Sequence, residues 1–301
     1  MRILITGSTG FIGRNLISRI NNVKEYKLLL LVRNSNISIG KNISILNADL
    51  GYPESYIERV TNFQPEVLIH LAWGNIPDYS YDSSLTNHID SIQLLNNIIN
   101  TGSCKKIIVS GSCWEYSNRI GPLKEDDSTN AVDNFSWAKL SIQSWLNNKC
   151  SENHIEYAWL RLFYIYGPYQ RDSSLLPSII KNIINQTLPE IKTPLNCNDF
   201  IYIDDVTNAI VKILETNIES GIYNIGYGRS TPVLDLCKIV EKIILGTDKL
   251  FSDIEINEKS DHIDFWASNE KAKINFNWFP EVDLEKGICE TYDYIKLNSN
   301  G

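Results

Sequence analysis

A chain of 301 residues that is 43% hydrophobic and 21% charged, with 16 glycines and 10 prolines, has the composition of a folded globular protein and enough length to bury a sizeable core. Its 28 basic and 36 acidic side chains leave a net charge of −8, which excludes a general affinity for nucleic acid or anionic membranes. Any anionic ligand must be held by local devices instead.

Six cysteines (Cys104, Cys113, Cys150, Cys197, Cys237 and Cys289) are scattered with no Cys-x-x-Cys pair and no histidine at ligand spacing. They read as structural thiols in a reducing compartment, and no metal site is expected. No run approaches the roughly 20 apolar residues of a membrane helix. The opening "MRILITG" enters a strand-like stretch without the apolar core of a signal peptide, so a cytoplasmic location is expected.

In chain order, "RILIT" (2–6), "KLLLLV" (27–32), "ISILNA" (43–48), "EVLIHLA" (66–72) and "KKIIVSG" (105–111) are short, nearly continuous apolar runs, as strands covered on both faces should be. Between them lie amphipathic segments. "GFIGRNLISRI" places Phe11, Ile12, Leu16, Ile17 and Ile20 on one stripe, and "NHIDSIQLLNNII" does the same with Ile89, Ile92, Leu95 and Ile99. Strands alternating with helices predict an α/β protein with a parallel, doubly wound sheet. Beyond about residue 165 the rhythm loosens into a helix over 176–186, a strand over "DFIYIDD" (199–205), a helix over 206–216, and short strands at 221–228 and 250–256. No Gly/Ser- or Pro-rich linker separates the halves. Two interleaved lobes are expected, 1–165 with later segments near 199–228 and a smaller one over 166–301, with substrate in the cleft between them.

"TGSTGFIG" puts Gly7, Thr9, Gly10, Phe11, Ile12 and Gly13 directly after the first strand and at the opening of the first helix. Such glycines let backbone N–H groups approach a pyrophosphate, and the helix N-terminus adds partial positive charge. Some 20 residues on, an NAD site usually shows an acid against the ribose hydroxyls. Here the second strand ends "LVRNSN", with Arg33 and Asn34 and no carboxylate, a pairing suited to a 2′-phosphate. NADP(H) is therefore expected over NAD(H).

In their order and spacing, "TGSTGFIG", "ADL", "IHLAW", "IIVSGSCWEY", "FSWAK", "LRLFYIYGP", "NDFIYIDD" and "GIYNIGYG" resemble the extended short-chain dehydrogenase/reductases that act on sugar nucleotides. The resemblance spans nearly the whole chain. It implies a Rossmann domain followed by a C-terminal substrate-binding lobe, and a homodimer built on the helix that begins near Phe135. It also implies that Asp49 and Leu50 contact the adenine, that Leu71, Ala72 and Trp73 pass under the cofactor, and that Asn87 lies near the nicotinamide ribose. Ser112 would hydrogen-bond the reacting sugar oxygen. Lys139 would bind the ribose and hold down the pKa of a tyrosine, whose place is taken by Phe135.

Hydride transfer to or from a sugar carbon moves a proton on or off its oxygen, so a positioned acid or base is required. Phe135 keeps the ring of a tyrosine and deletes that oxygen. Three readings follow: a non-catalytic, regulatory nucleotide-binding protein; a proton from another group such as Tyr116, Tyr164, Glu115 or a water on Ser112; or a deliberate tyrosine-to-phenylalanine substitution. The last is favoured because Ser112, Lys139 and the glycine loop are all retained.

Within the family, 4,6-dehydratases carry an Asp-Glu pair after the hydroxyl residue, where this chain has Cys113 and Trp114. That weighs against a dehydratase, and the absence of an acid near Arg33 favours an NADPH-dependent reductase of a CDP-, dTDP- or GDP-linked 4-keto-6-deoxy sugar, with an NAD-retaining 4-epimerase as the alternative. Cys113, Trp114, Tyr164 and Asn198 are the candidate substrate contacts. The histidines (His70, His88, His154, His262) are expected in core or surface roles. The "KEDD" stretch is expected as a solvated loop, although Glu125 matches a position in the family's active-site loop.

Overall fold

In a computed structural model, which describes residues 1–34, 40–117, 119–251 and 262–299, the apolar runs of the first half become strands. In chain order the elements are β1 (Arg2–Thr6), α1 (Phe11–Ile20), β2 (Lys27–Val32), β3 (Ile43–Asn47), α2 (Ile57–Phe63), β4 (Val67–His70), α3 (Tyr81–Asn100) and β5 (Lys106–Ser112). Next come β6 (Ile120–Leu123), α4 (Asn134–Asn153), β7 (Glu156–Leu162), β8 (Tyr164–Tyr166), α5 (Leu175–Ile184), β9 (Cys197–Asn198) and β10 (Phe200–Tyr202). The remainder is α6 (Ile203–Glu215), β11 (Gly221–Ile225), β12 (Thr231–Pro232), α7 (Val233–Leu245), β13 (Asp264–Ala267), α8 (Glu270–Phe276) and α9 (Leu284–Ser299).

The chain divides into two compact units, one of residues 1–118, 127–162 and 210–223, the other of 119–126, 163–209 and 224–301. The first carries a seven-stranded sheet in the order β3-β2-β1-β4-β5-β7-β11. Its β3-β2, β2-β1, β1-β4, β4-β5 and β5-β7 pairs are all parallel. Strand order runs outward in both directions from β1, so the sheet is doubly wound, and its switch point lies between the carboxyl ends of β1 and β4. Open sheets of this kind bind ligands there.

One face of the sheet buries Leu4, Leu29, Leu68, Ile107 and Trp159 against Leu94, Leu95, Ile98 and Ile99 of α3 and Ile142 and Leu146 of α4. Each large apolar side chain so buried contributes about 1.5–3 kcal/mol. The expected stripe on α3 is corrected here: Ile89 is 45% exposed. Five residues before Leu94, it points about 140° away around the helix.

In the second unit, β12-β9-β13-β6 form a small sheet and β10 pairs with β8. Asp199 is fully buried and accepts N–H bonds from Tyr227 (2.6 Å), Gly228 (2.9 Å) and Ala267 (2.9 Å). Burial pushes its pKa up to about 6 even though those three bonds favour the carboxylate. Glu125, part of the stretch expected to be a solvated loop, is half-buried and accepts from the Asn224 N–H at 2.8 Å.

The strand expected over "DFIYIDD" stops at Tyr202, and Ile203 already begins α6. Asp204 and Asp205 suit a helix N-terminus, and the Asp205 carboxylate accepts the Glu281 and Val282 N–H groups at 3.0 Å each. Of the strand expected at 250–256, residues 252–256 lie outside the described residues. No helix among the described residues is long and apolar enough to cross a membrane.

Candidate active site at the sheet switch point

The glycine loop connects β1 to α1 at the switch point. Gly7 adopts φ +71°, and a Cβ there would lie 2.6 Å from both Ala72 N and Leu71 C. Only glycine permits that approach between the β1 and β4 loops. Leu71 N donates to Thr6 O (3.2 Å), closing the two loops together. A Cβ on Gly13 would collide with the Gly7 backbone and lie 2.6 Å from Ser8 Cα. Gly10 is the N-cap of α1 and contributes no side-chain cap, so the first-turn N–H groups have no side-chain acceptor. Ser8 Oγ is buried without a hydrogen-bond partner. Thr9 and the helix residues Phe11 and Ile12 are half-buried beside this cradle. A cradle closed to Cβ atoms, an uncapped helix N-terminus and an orphaned hydroxyl fit the pyrophosphate of a dinucleotide.

Arg33 and Asn34 are exposed at the carboxyl end of β2. Asp49 and Leu50 follow β3, with the Asp49 carboxylate accepting from Gly51 N (3.0 Å). Asp90 of α3 is nearby, and its pKa is raised by burial and by the Asp49 charge.

At the end of β5, Ser112 caps a short turn reciprocally. Its hydroxyl accepts from Trp114 N (3.2 Å), while Ser112 N donates to Glu115 Oε1 (2.8 Å). Cys113 is buried and Trp114 is 37% exposed. Glu115 is fully buried and accepts from Trp159 Nε1 (3.0 Å) and Arg161 Nε (2.9 Å). Burial alone would lower the Arg161 pKa, but the Glu115 carboxylate and Tyr116 outweigh it and raise it. The Tyr116 ring is buried, with the guanidinium 4.4 Å from its centroid. Glu115 and Tyr116 are thereby committed to a buried cluster and are removed as proton donors.

Helix α4 starts with a second reciprocal cap between Asp133 and Ser136 and presents Phe135 and Lys139 one turn apart. Lys139 is buried, donates from Nζ to Ser110 O (2.7 Å), and stands 4.0 Å over the Trp73 ring and 5.8 Å from the Phe135 centroid. Burial brings its pKa down to about 7 against the opposing pull of Glu115. His70 sits beneath, with Nδ1 2.7 Å from Thr6 Oγ1 and Nε2 3.0 Å from Ser91 Oγ. Burial, reinforced by Lys139, drops its pKa to about 3, so it remains neutral. Trp73 Nε1 is buried without a partner, and the Trp73 ring meets Phe135 edge-on at 5.2 Å.

A sequence profile of the NAD dependent epimerase/dehydratase family matches residues 3–226. The chain belongs to that family. Among relatives, it is 24% identical to an ADP-L-glycero-D-manno-heptose-6-epimerase of Brachyspira hyodysenteriae, covering 99% of this chain and 94% of the relative. It is 25% identical to a dTDP-4-dehydro-6-deoxyglucose reductase of Escherichia coli over 98% and 97% of the two chains. The fold matches that of the Thermotoga maritima UDP-glucose 4-epimerase with UDP-glucose (TM-score 0.86, 24% identity, 99% of this chain and 100% of the other).

Against the epimerase/dehydratase family pattern, two placements were illegible in the sequence. Asn87 is 9% exposed, and its amide is occupied by the loop after β4: Oδ1 accepts from Gly74 N (2.5 Å) and Nδ2 donates to Gly74 O (3.2 Å) and Ser83 O (2.8 Å). That loop carries Tyr79, whose ring meets Phe135 at 5.2 Å and 65° and Trp114 at 6.3 Å. Nothing in local patterning marks a tyrosine in "NIPDYS" for this place. Tyr164 and Asn198 belong to the second unit. There Tyr164 packs against Phe200 and Phe265 at about 6 Å, and Asn198 is buried with Oδ1 lacking a hydrogen-bond partner.

Proposed function

We propose that this member of the family reduces a nucleotide-linked 4-keto-6-deoxy sugar, taking NADPH in preference to NADH. When bound, the nicotinamide dinucleotide supplies the hydride that reduces the carbonyl carbon. The glycine loop from Gly7 to Gly13 receives the pyrophosphate, and Asp49 and Leu50 flank the adenine. Leu71, Ala72 and Trp73 line the floor beneath the nicotinamide, and Lys139 binds its ribose. Ser112 retains its O–H as a donor for the sugar oxygen. Cys113, Trp114, Tyr164 and Asn198 are the proposed substrate contacts.

The observation that carries the reductase reading is Arg33 with Asn34 at the carboxyl end of β2, where a cation and an amide can pair with a 2′-phosphate. Cys113 and Trp114 lack the carboxyl groups needed to eliminate water, which weighs against a dehydratase. A 4-epimerase remains the second reading, favoured by epimerase relatives as similar as the reductase. The test is Phe135→Tyr supplied with CDP-, dTDP- or GDP-linked 4-keto-6-deoxy sugars. Stoichiometric NADPH oxidation supports the reductase. NAD(H) co-purifying with the protein and never consumed supports the epimerase.

A further inference from the structure

Phe135 removes one hydroxyl, and the groups around it decide what replaces it. Glu115 is held by Trp159 and Arg161, and Tyr116 is buried under the Arg161 guanidinium. Lys139 is buried, with Nζ over the Trp73 ring and donating to Ser110 O. Among the described residues, Tyr79 is the phenol in ring contact with Phe135.

Its presentation is firm. The loop is clamped at Gly74 by two hydrogen bonds of Asn87, turned by Asp78 N donating to Asn75 O (2.7 Å), and closed by Ser80, whose hydroxyl accepts from Ser83 N (3.3 Å) as the N-cap of α3. Ser80 N also donates to the Asp78 carboxylate (2.9 Å). The Tyr79 ring contacts both Phe135 of α4 (5.2 Å) and Trp114 of the Ser112 turn (6.3 Å). It is 41% exposed.

Resting on the reductase reading, we propose that Tyr79 is the proton donor of this chain. As the carbonyl carbon gains a hydride from the reduced nicotinamide, the C=O π pair moves to oxygen, the Tyr79 O–H bond breaks, and a new O–H bond forms on the sugar. The carbonyl is reduced to an alcohol and the dihydronicotinamide is oxidised. The phenolate left on Tyr79 recovers its proton from water. Ser112 and Tyr79 then share the sugar oxygen, and Asn87 acts as a positioning residue through the loop it clamps.

The experiment compares the chain as it stands with Tyr79→Phe, and Phe135→Tyr with the corresponding double variant, using CDP-, dTDP- and GDP-linked 4-keto-6-deoxy sugars. Tyr79→Phe is expected to lower kcat by ~10²-fold or more beside Phe135, with KM little changed, and to have a much smaller effect once Tyr occupies 135. A second readout is independent of turnover: nitration of the Tyr79 peptide by tetranitromethane is expected to slow when each nucleotide sugar is added. Equal kcat for Tyr79→Phe and its parent, or nitration unaffected by all three nucleotide sugars, would overturn the proposal. If no variant turns over while Tyr79 is still shielded, the place of Tyr79 at the sugar is supported and the reductase reading is the part that fails.

Discussion

Lys139 shows how one residue carries two demands. It is enclosed by Trp73, Phe135 and the Ser110 carbonyl, where a cation over an indole gains about 1–2 kcal/mol, yet burial still draws its pKa from the ordinary 10.5 to about 7. Between these two values the unfolded chain holds a proton that the folded chain lacks, so stability rises with pH across that window and is independent of this group below it. Urea unfolding at pH 7, 8 and 9 is expected to show a rise of up to about 1.4 kcal/mol per pH unit from this group, and Lys139→Met is expected to remove it. Identical slopes in the two proteins would contradict the burial assigned to Lys139. The same residue scale marks what the sequence could reveal. Phe135 and Lys139 are legible as a helical pair because four residues is one turn. Tyr79 is not, because it meets Phe135 across 56 positions of chain and through a loop that no periodicity describes.

At the scale of elements, the short turn after β5 is built on a charge. Glu115 ties Ser112, Trp159 and Arg161 together, so the hydroxyl at 112 is placed by a carboxylate that never leaves the core. Glu115→Gln removes the carboxylate charge facing the buried Arg161 guanidinium and is expected to destabilise the protein by ~3–5 kcal/mol, measured by urea denaturation. A loss under ~1 kcal/mol would mean that the pair is not the support of this turn. Read as sequence, Glu115 stood among the proton donors because its partner lies 46 residues downstream. Elements with strong local signals fared better. The strands at 2–6 and 27–32 and the glycine turn follow from continuous apolar runs and from a backbone approach only glycine allows. The start of α6 at Ile203 was missed because an apolar, β-branched stretch outweighed the Asp204–Asp205 signal, which depends on Glu281 and Val282 far along the chain.

At the scale of the whole molecule, the candidate cofactor-binding residues of the acidic chain gather at one sheet. The Gly7–Gly13 cradle, Arg33 at the end of β2, and Lys139 against the end of β5 all lie in the first unit, which follows from strand order around the switch point between β1 and β4. Fold and family were therefore legible from motif order alone. Reaction direction was not, because relatives of nearly equal identity include both an epimerase and a reductase. The most direct discriminator is the fate of the hydrogen. Phe135→Tyr supplied with NADPH deuterated at the nicotinamide C4 and with CDP-, dTDP- and GDP-linked 4-keto-6-deoxy sugars is expected to place one deuterium on sugar C4 per cofactor oxidised, faster than with deuterated NADH. Product free of deuterium, with no net loss of cofactor, would contradict the reductase.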